Sequence, residues 1–533
     1  MRLTLTLLVG ILSVPSLRSE PPAKHFDGNS WWSHVKILAD DKMEGRQSGS
    51  EGLRKAEAYV VEQLKHAGLE PAGENGGYYQ RVPFVQRQIV EEQSAAALVH
   101  AGVVEPLELG VDAFFGRNFE GDAGEVTAPL VFIGNGLRVP EAGVDDLAGL
   151  DVKGKIVVYI AGSPTTVSAA LTGHYGSAGE RWKLLRAAGA IGAVAIPNPA
   201  SMDIPWIRMT ANRTAVTMEI ADTAFDETTG QKVSLTFNPA QAEKLFTGSG
   251  HTFRELAILA KDRAVLPHFP LAVSLKTHAT VREAKLESAN LVARLPGSDS
   301  ILKDEFVVMS AHIDHVGIGA AINGDKIYNG AMDNASGSAM MLDVATSLKA
   351  SGEKLRRSLL IVFVCAEEKG LLGSKFFATR PTVPARGMVA NINTDMFLPI
   401  APAKTLTVKG LAESDLGELV VAAARAQSVN PIADPEPLRN LFVRSDQYSF
   451  IRQGIPSINF TYGAEPGTSE AKIFKDWLTE RYHAPSDDLN QPVDLAAAAT
   501  FEEIMRAVVL AVANGEARPQ WKPDSFFRRY AKK

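Results

Sequence analysis

The sequence predicts an α/β protein: a mixed, mostly parallel sheet flanked by helices, interrupted by an inserted domain at about 120–265. Three observations carry that expectation. From about Leu286 onward, short apolar runs alternate with helical patterns, the signature of strand-then-helix units around a largely parallel sheet. The stretch 120–265 has its own self-contained strand and helix pattern and gathers no acid, histidine and nucleophile at catalytic spacing. Finally, 533 residues that are 45% hydrophobic and 22% charged suffice for a large core, which excludes a collagenous, disordered or coiled-coil chain.

Each region follows in chain order. Met1–Ser19 has one positive charge at Arg2, an apolar run Leu3–Val14, then Pro15 and small residues. That order matches a secretory signal, and the run is too short for a membrane span, which needs about 20 residues. An exported protein, periplasmic or extracellular and without stable membrane insertion, is expected. Trp31–Leu69 reads as helical. Within it, Ser50-Glu51-Gly52 opens an amphipathic stretch through Ala56, Tyr59, Val60, Leu64 and Leu69, and Gly68 is the stop signal. From Gln80 to Leu109 the apolar runs shorten and alternate, as in strands. In the insert, Ala128–Phe132 and Lys155–Ile160 read as strands, and Leu184–Ala188 leads through Gly189 into the apolar run ending at Ile196. Beyond it, Phe306–Ser310, Ser358–Cys365, Met388–Ile392 and Pro456–Phe460 read as buried strands, with helices at Ala339–Leu348 and Asp415–Gln427. The expected division is a signal at 1–19, the N-terminal part of the main domain at 20–119, the insert at 120–265, the remainder of the main domain at 266–518 and a polar, basic tail at 519–533.

Composition narrows the function. With 55 Lys+Arg against 61 Asp+Glu, the formal net charge is -6, so the chain has no basic footprint for nucleic acid. The single cysteine, Cys365, excludes an internal disulfide and sits in an apolar strand as a small hydrophobe.

The chemistry-bearing residues cluster in the last region, most of them just after an expected strand. His312, Asp314 and His315 follow Phe306–Ser310; Asp333 lies in a glycine-bounded loop before a helix; Glu367 and Glu368 follow the strand ending at Cys365; Asp395 follows the strand after Gly387; and His483 lies in a late loop. In open α/β sheets ligands bind beyond the carboxyl ends of the strands, so one pocket could collect all of these. Two histidines and three carboxylates are zinc-type donors. Five protein donors are one too many for a single catalytic zinc with an open position, and suit two zincs sharing a bridging carboxylate. In the pair Glu367-Glu368, extended backbone would point the two side chains oppositely, so that one ligates while the other faces a bound water. Asp314, two residues from His312, can orient its imidazole. His315, His174, His278 and His100 are expected to be ordinary structural histidines.

The runs SAHIDHVG, NGAMDNASG, AEEKGLLGS, NINTDM, RSDQYSFIRQGIP and YHAPSDD, in that order, resemble the co-catalytic zinc aminopeptidases, a superfamily that includes bacterial leucyl aminopeptidases, glutamate carboxypeptidase and the transferrin receptor. The resemblance covers about Leu286–Glu516 and extends weakly to Leu38–Pro83 through LADDKMEGRQSGSEG, while the insert resembles a mainly β protease-associated domain. It implies a zinc exopeptidase-like fold of the phosphorylase/hydrolase-like type and two zinc ions per chain. In that pattern His312 and Asp395 hold one zinc, Glu368 and His483 the other, and Asp333 bridges, with a cis peptide to Asn334. Glu367 is the general base and Asp314 orients His312. Tyr482 donates to the oxyanion and Arg444 contacts the substrate carbonyl or carboxylate. Met332 departs from the pattern, because many relatives carry an acid there. The implied activity is that of an exported dizinc aminopeptidase acting on peptides. A carboxypeptidase on the same scaffold, a glutaminyl cyclase-like transferase with one zinc and a metal-free receptor-like binding protein are the alternatives, and zinc content per chain separates the last two from the first. The sequence does not define an oligomeric state.

Overall fold

Two sheets organise the chain. In a computed structural model, residues 24–116, 119, 124–202, 204–211, 213–463 and 465–531 are described, so the expected signal at 1–19 lies outside the described residues. The first sheet has ten strands. Its centre is four parallel neighbours in the order Ser358–Val364, Phe306–His312, Met388–Asn393 and Ser457–Tyr462. All four are buried along their whole length. Their sequences are near-continuous apolar runs because parallel strands covered on both faces have no solvent side. Alternation along the strands feeds two cores: Val307, Met309, Leu359 and Ile361 pack into one, and Val308, Leu360, Val362 and Met388 into the other. On one flank the long antiparallel pair Tyr79–Ile89 and Val281–Leu295 joins the centre; on the other, Thr405–Lys409 and Asn430–Ala433 complete the sheet. The mixed α/β architecture is as expected.

The helical region begins with Asn29–Leu38 and Glu51–His66, separated by a short 3-10 segment at Asp41–Arg46. Ser50 caps the second helix by accepting from the Leu53 amide, and its buried face is Leu53, Ala56, Val60 and Leu64. Gly68 follows at φ 69, the left-handed conformation that ends a helix cheaply.

The second sheet has eight strands and is built around a parallel centre of its own: Glu125–Ile133, Ile156–Ile160, Gly192–Ile196 and Val233–Phe237. Helices Ala169–Gly176, Ala178–Ala187 and Phe253–Lys261 belong to the same lobe. The lobe is wider than the 120–265 read from the sequence. Ala95–His100, Val103–Leu107 and Ala113–Phe115 enter it from before that stretch, and His268–His278 from after it. Conversely, Thr217–Ile220 leaves the lobe to pair with Tyr79–Ile89 at the edge of the first sheet. Antiparallel partners so far apart in sequence leave no local trace, which is why the boundaries differ.

The polar, basic tail is packed against the main domain over its described residues. Trp521 and Phe527 are buried against Val443, Tyr448 and Ile451, and Ser414 pairs with Trp521 as an isolated bridge. Large aromatic residues among the basic ones give this segment enough apolar area to dock. Among the described residues, no helix is long and apolar enough to cross a membrane.

Candidate metal centre

Three of the four central strands deliver their last residues to one place. Phe306–His312 ends on His312 itself, which is 1% exposed. After Ser358–Val364 the chain turns at Ala366, φ 53, and presents Glu367 and Glu368 from a turn rather than from extended backbone. The two acids are therefore presented from a turn and not by the strand alternation that the sequence suggested. After Met388–Asn393, Thr394 leads to Asp395. Asp333 comes from the loop before helix Ser336–Ser351, in a cis peptide with Asn334. His483 comes from the loop after helix Ser469–Glu480.

Asp333 stands at the middle. Its Oδ1 is 3.3 Å from His312 Nε2, which is also 3.3 Å from Asp395 Oδ1. Its Oδ2 is 3.2 Å from His483 Nε2, which in turn is 3.1 Å from Glu368 Oε2. One carboxylate thus faces two donor groups with separate oxygens, the arrangement a bridging ligand needs. His312, Asp333 and Asp395 form one group that could hold a metal ion; Asp333 and Glu368 with His315 form another. His315 was read as structural from the sequence. It is fully buried, and its Nδ1 lies 2.7 Å from Glu368 Oε1 and 3.9 Å from Asp333 Oδ2. Two imidazoles therefore flank Glu368: His315 at 0% exposure behind it and His483 at 31% on the open side. Glu368 Oε1 and His315 Nδ1 face each other, but the buried Nε2 of His315 has no hydrogen-bond partner. Orphaned donors of this kind are expensive unless an ion completes them. Imidazole nitrogens and carboxylate oxygens are zinc donors, so the set fits two zinc ions sharing Asp333.

The electrostatics agree. Burial disfavours charge on His312, yet Glu367, Asp333 and Asp395 outweigh it and hold the imidazole well above its ordinary pKa. Burial likewise opposes protonation of His483, and Glu368 and Asp333 overcome it and push the group up to about 10. Glu368 is held well below the carboxylate range, since His483 and His315 offset its burial. Glu367 goes the other way: burial lifts it well above the ordinary value, His312 opposes, and the charges of Glu368, Asp395 and Asp446 add to the rise. Adjacent acids of opposite tendency are the pattern that separates a ligand from a proton acceptor.

Surrounding groups hold these side chains. Asp314 is buried and its pKa is pushed up to about 6 by that burial. Its backbone carbonyl lies 3.1 Å from His312 Nδ1, closer than its carboxylate at 3.9 Å, while its Oδ1 accepts from the Glu367 amide at 3.2 Å. The same residue thus touches the ligand and the backbone of the neighbouring acid. Ser445 donates to Asp395 Oδ2 at 2.6 Å. Asp487 accepts from the amides of Met332 and Asp333 and fixes the loop that carries the bridge. Arg46 is fully buried and donates to the carbonyls of Leu38, Ile313, Asn329 and Gly330. Burial lowers its pKa to about 10 against the opposing pull of Asp487, Asp314, Asp333 and Glu368, so it stays charged behind the acids. Sequence reasoning gave no role to Arg46, Asp487 or Ser445, although each lies inside a run that carries the resemblance. Tyr482 stacks on His483 with ring centroids 3.9 Å apart. Burial raises its phenol well above the ordinary value, Asp333, Glu368 and Glu367 reinforce that, and Arg444 opposes it. The hydroxyl remains a donor. Arg444 is exposed and donates to the Arg439 carbonyl at 3.4 Å.

Residues 290–509 match the profile of Peptidase family M28. This region is similar to an M28 peptidase domain. Among curated proteins, the chain is similar to Leupeptin-inactivating enzyme 1 of Streptomyces exfoliatus, 32% identical over 108 residues, or 20% of this chain and 22% of that protein. It is also similar to Aminopeptidase Y of Saccharomyces cerevisiae, 29% identical over 215 residues, or 38% of this chain and 35% of that protein. The matches thus span about a fifth and about a third of the length of these relatives. Among solved structures, the Aminopeptidase from Aneurinibacillus sp. strain AM-1 aligns over 93% of this chain and 96% of its own with a TM-score of 0.56 and 18% identity, a likeness of fold. Every donor named above lies within the M28 domain. The second lobe, which contributes none of them, lies outside it.

Proposed function

We propose that the chain is an exported dizinc aminopeptidase that removes N-terminal residues from peptides. The observation that carries this reading is Asp333, whose two oxygens face two separate donor groups, with Glu367 beside them as an acid of raised pKa that is not needed as a ligand. The M28 match and the named activity of Aminopeptidase Y support the choice of peptide hydrolysis. The apolar start Leu3–Val14 after Arg2 supports export to the periplasm or the exterior.

In this reading His312 and Asp395 would hold one zinc, Glu368 and His483 the other, and Asp333 would be shared between them. Bound zinc supplies Lewis acidity, which polarises a carbonyl and makes water a stronger nucleophile. Glu367 accepts a proton from the attacking water and passes it to the leaving amine, a role its raised pKa suits. The Tyr482 hydroxyl donates to the carbonyl oxygen as negative charge develops on it. Asp314 holds His312 in orientation and, through the Glu367 amide, the base as well. Arg444, on the exposed side, contacts the substrate carbonyl or carboxylate. The second lobe, read as a protease-associated domain, borders the cleft.

The deciding experiment measures metal and turnover together. The purified protein should carry two zincs per chain, a chelator should abolish hydrolysis of an aminoacyl anilide, and zinc should restore it. Hydrolysis that survives exhaustive chelation would overturn the reading, and one zinc or none per chain would favour a transferase or a binding protein instead.

A further inference from the structure

The second lobe supplies no donor to the metal centre, yet it touches the loop that supplies one. Helix Trp206–Ala211 belongs to that lobe and carries Arg208. The Arg208 guanidinium spans two carbonyls of the M28 domain: Nη1 donates to Thr479 at 2.8 Å and Nη2 to Tyr482 at 2.9 Å. Thr479 is in the last turn of helix Ser469–Glu480, where carbonyls have no partner within the helix and a positive charge is favourable. Tyr482 immediately precedes His483, which adopts a left-handed φ of 51. The two bonds therefore fix how the chain leaves the helix and enters the residue that faces Asp333 and Glu368. Among the described residues Arg208 has no carboxylate within ion-pair distance, so these carbonyls are its anchors.

The helix is itself held. The Trp206 indole donates to the Gly110 carbonyl at 2.9 Å, and Arg213, just beyond the helix, pairs with Glu91 through two bonds of 2.6 Å. A planar fork on a braced support constrains two acceptors at once, which a single ammonium cannot do.

We propose that Arg208 is a positioning residue through which the second lobe sets the His483 side of the metal centre. The proposal rests on the two-zinc reading, because it predicts that one zinc depends on the second lobe and the other does not. It also gives the lobe a part in building the site in addition to bordering the cleft.

The test uses the full chain with Arg208→Ala and Arg208→Lys. In metal-free protein, amide exchange over 479–487 should quicken at least ten-fold in Arg208→Ala and less in Arg208→Lys, while amides of 306–312 stay as in the parent. With zinc, Arg208→Ala should lose roughly 10–100-fold in affinity for one ion and keep the other, the usual scale for a residue that orients a ligand. Turnover should fall with kcat carrying the loss rather than KM, and the lysine variant should recover part of it. Unchanged exchange over 479–487, or equal loss of both zincs, would overturn the proposal. The two-zinc reading stands or falls on the parent protein's own metal content, and the exchange measurement decides the role of Arg208 independently of that outcome.

Discussion

The two lobes share a motif and differ in how it ends. Each is centred on four parallel strands, but what stands beyond the strands is of two kinds. In the M28 domain the chain at or just beyond the ends of three of the strands carries His312, Glu367 with Glu368, and Asp395. In the second lobe Asn135, Asn198 and Asn238 follow the ends of three of its four central strands. Those amides are already engaged: Asn135 donates to the Ile160 carbonyl at 3.0 Å, Asn198 to Ala260 at 3.2 Å and Asn238 to Val111 at 2.8 Å. Neutral amides can satisfy themselves on the backbone and close a loop. Clustered carboxylates and imidazoles do not, and His315 retains a buried ring nitrogen without a partner. Parallel strand ends thus serve as a loop-closing edge or gather metal-type donors according to the groups placed at them, which is why fold alone does not assign function.

The largest expected effect probes the charged end. Glu367→Gln keeps shape and hydrogen bonding but cannot accept a proton. Turnover should fall roughly 10²–10⁴-fold while both zincs remain, the usual scale of general acid–base catalysis. Glu368→Gln should instead weaken one zinc, and excess metal should restore part of its activity. Zinc stoichiometry and turnover on both variants check this assignment. Metal loss in Glu367→Gln with full occupancy in Glu368→Gln would reverse it.

A second effect follows from the imidazoles. In metal-free protein His483 is pushed up to about 10 by its carboxylate neighbours, against about 6.5 in an unfolded chain. A raised folded pKa contributes stability that is fully present below about 6.5 and is lost as pH rises through about 10. Glu367, also raised, pulls in the same direction as it ionises. The chelated protein should therefore lose stability between pH 6.5 and 9.5, read as a falling denaturant midpoint. The zinc-loaded protein should not, because a liganding imidazole is already neutral. Equal midpoints at the two pH values in the chelated form would show that the acid and histidine cluster is not coupled as described.

These contrasts also explain what could be read from the sequence. Val307, Leu359 and Ile392 sit in continuous apolar runs, so the central strands and the residues just beyond them were visible from local pattern, and with them His312, Glu367, Glu368 and Asp395. Asp333 and His483 needed their surrounding runs. Arg46 was hidden because nothing near it in sequence indicates burial; its four carbonyl partners arrive from three separate segments. His315 was hidden because a lone histidine after a strand looks the same whether it stabilises a core or lies against Glu368. The breadth of the second lobe depended on Ala95–His100 pairing with His268–His278, a contact no local window contains.

The smallest expected effect probes the neutral end and completes the comparison. Asn135 is buried at the end of Glu125–Ile133, and its side chain reaches the last carbonyl of the neighbouring strand Ile156–Ile160. Asn135→Ala removes one neutral hydrogen bond and leaves the Ile160 carbonyl short of a partner, which costs about 1–3 kcal/mol when the acceptor stays buried. The lobe should lose that much by denaturant unfolding and keep its fold. Zinc stoichiometry and hydrolysis of a small aminoacyl substrate should be unchanged, because no donor lies at this edge and the Arg208 contact is on another element. A loss of zinc from well-folded Asn135→Ala would break the comparison, since the amide edge would then be coupled to the metal centre rather than closing its own loop.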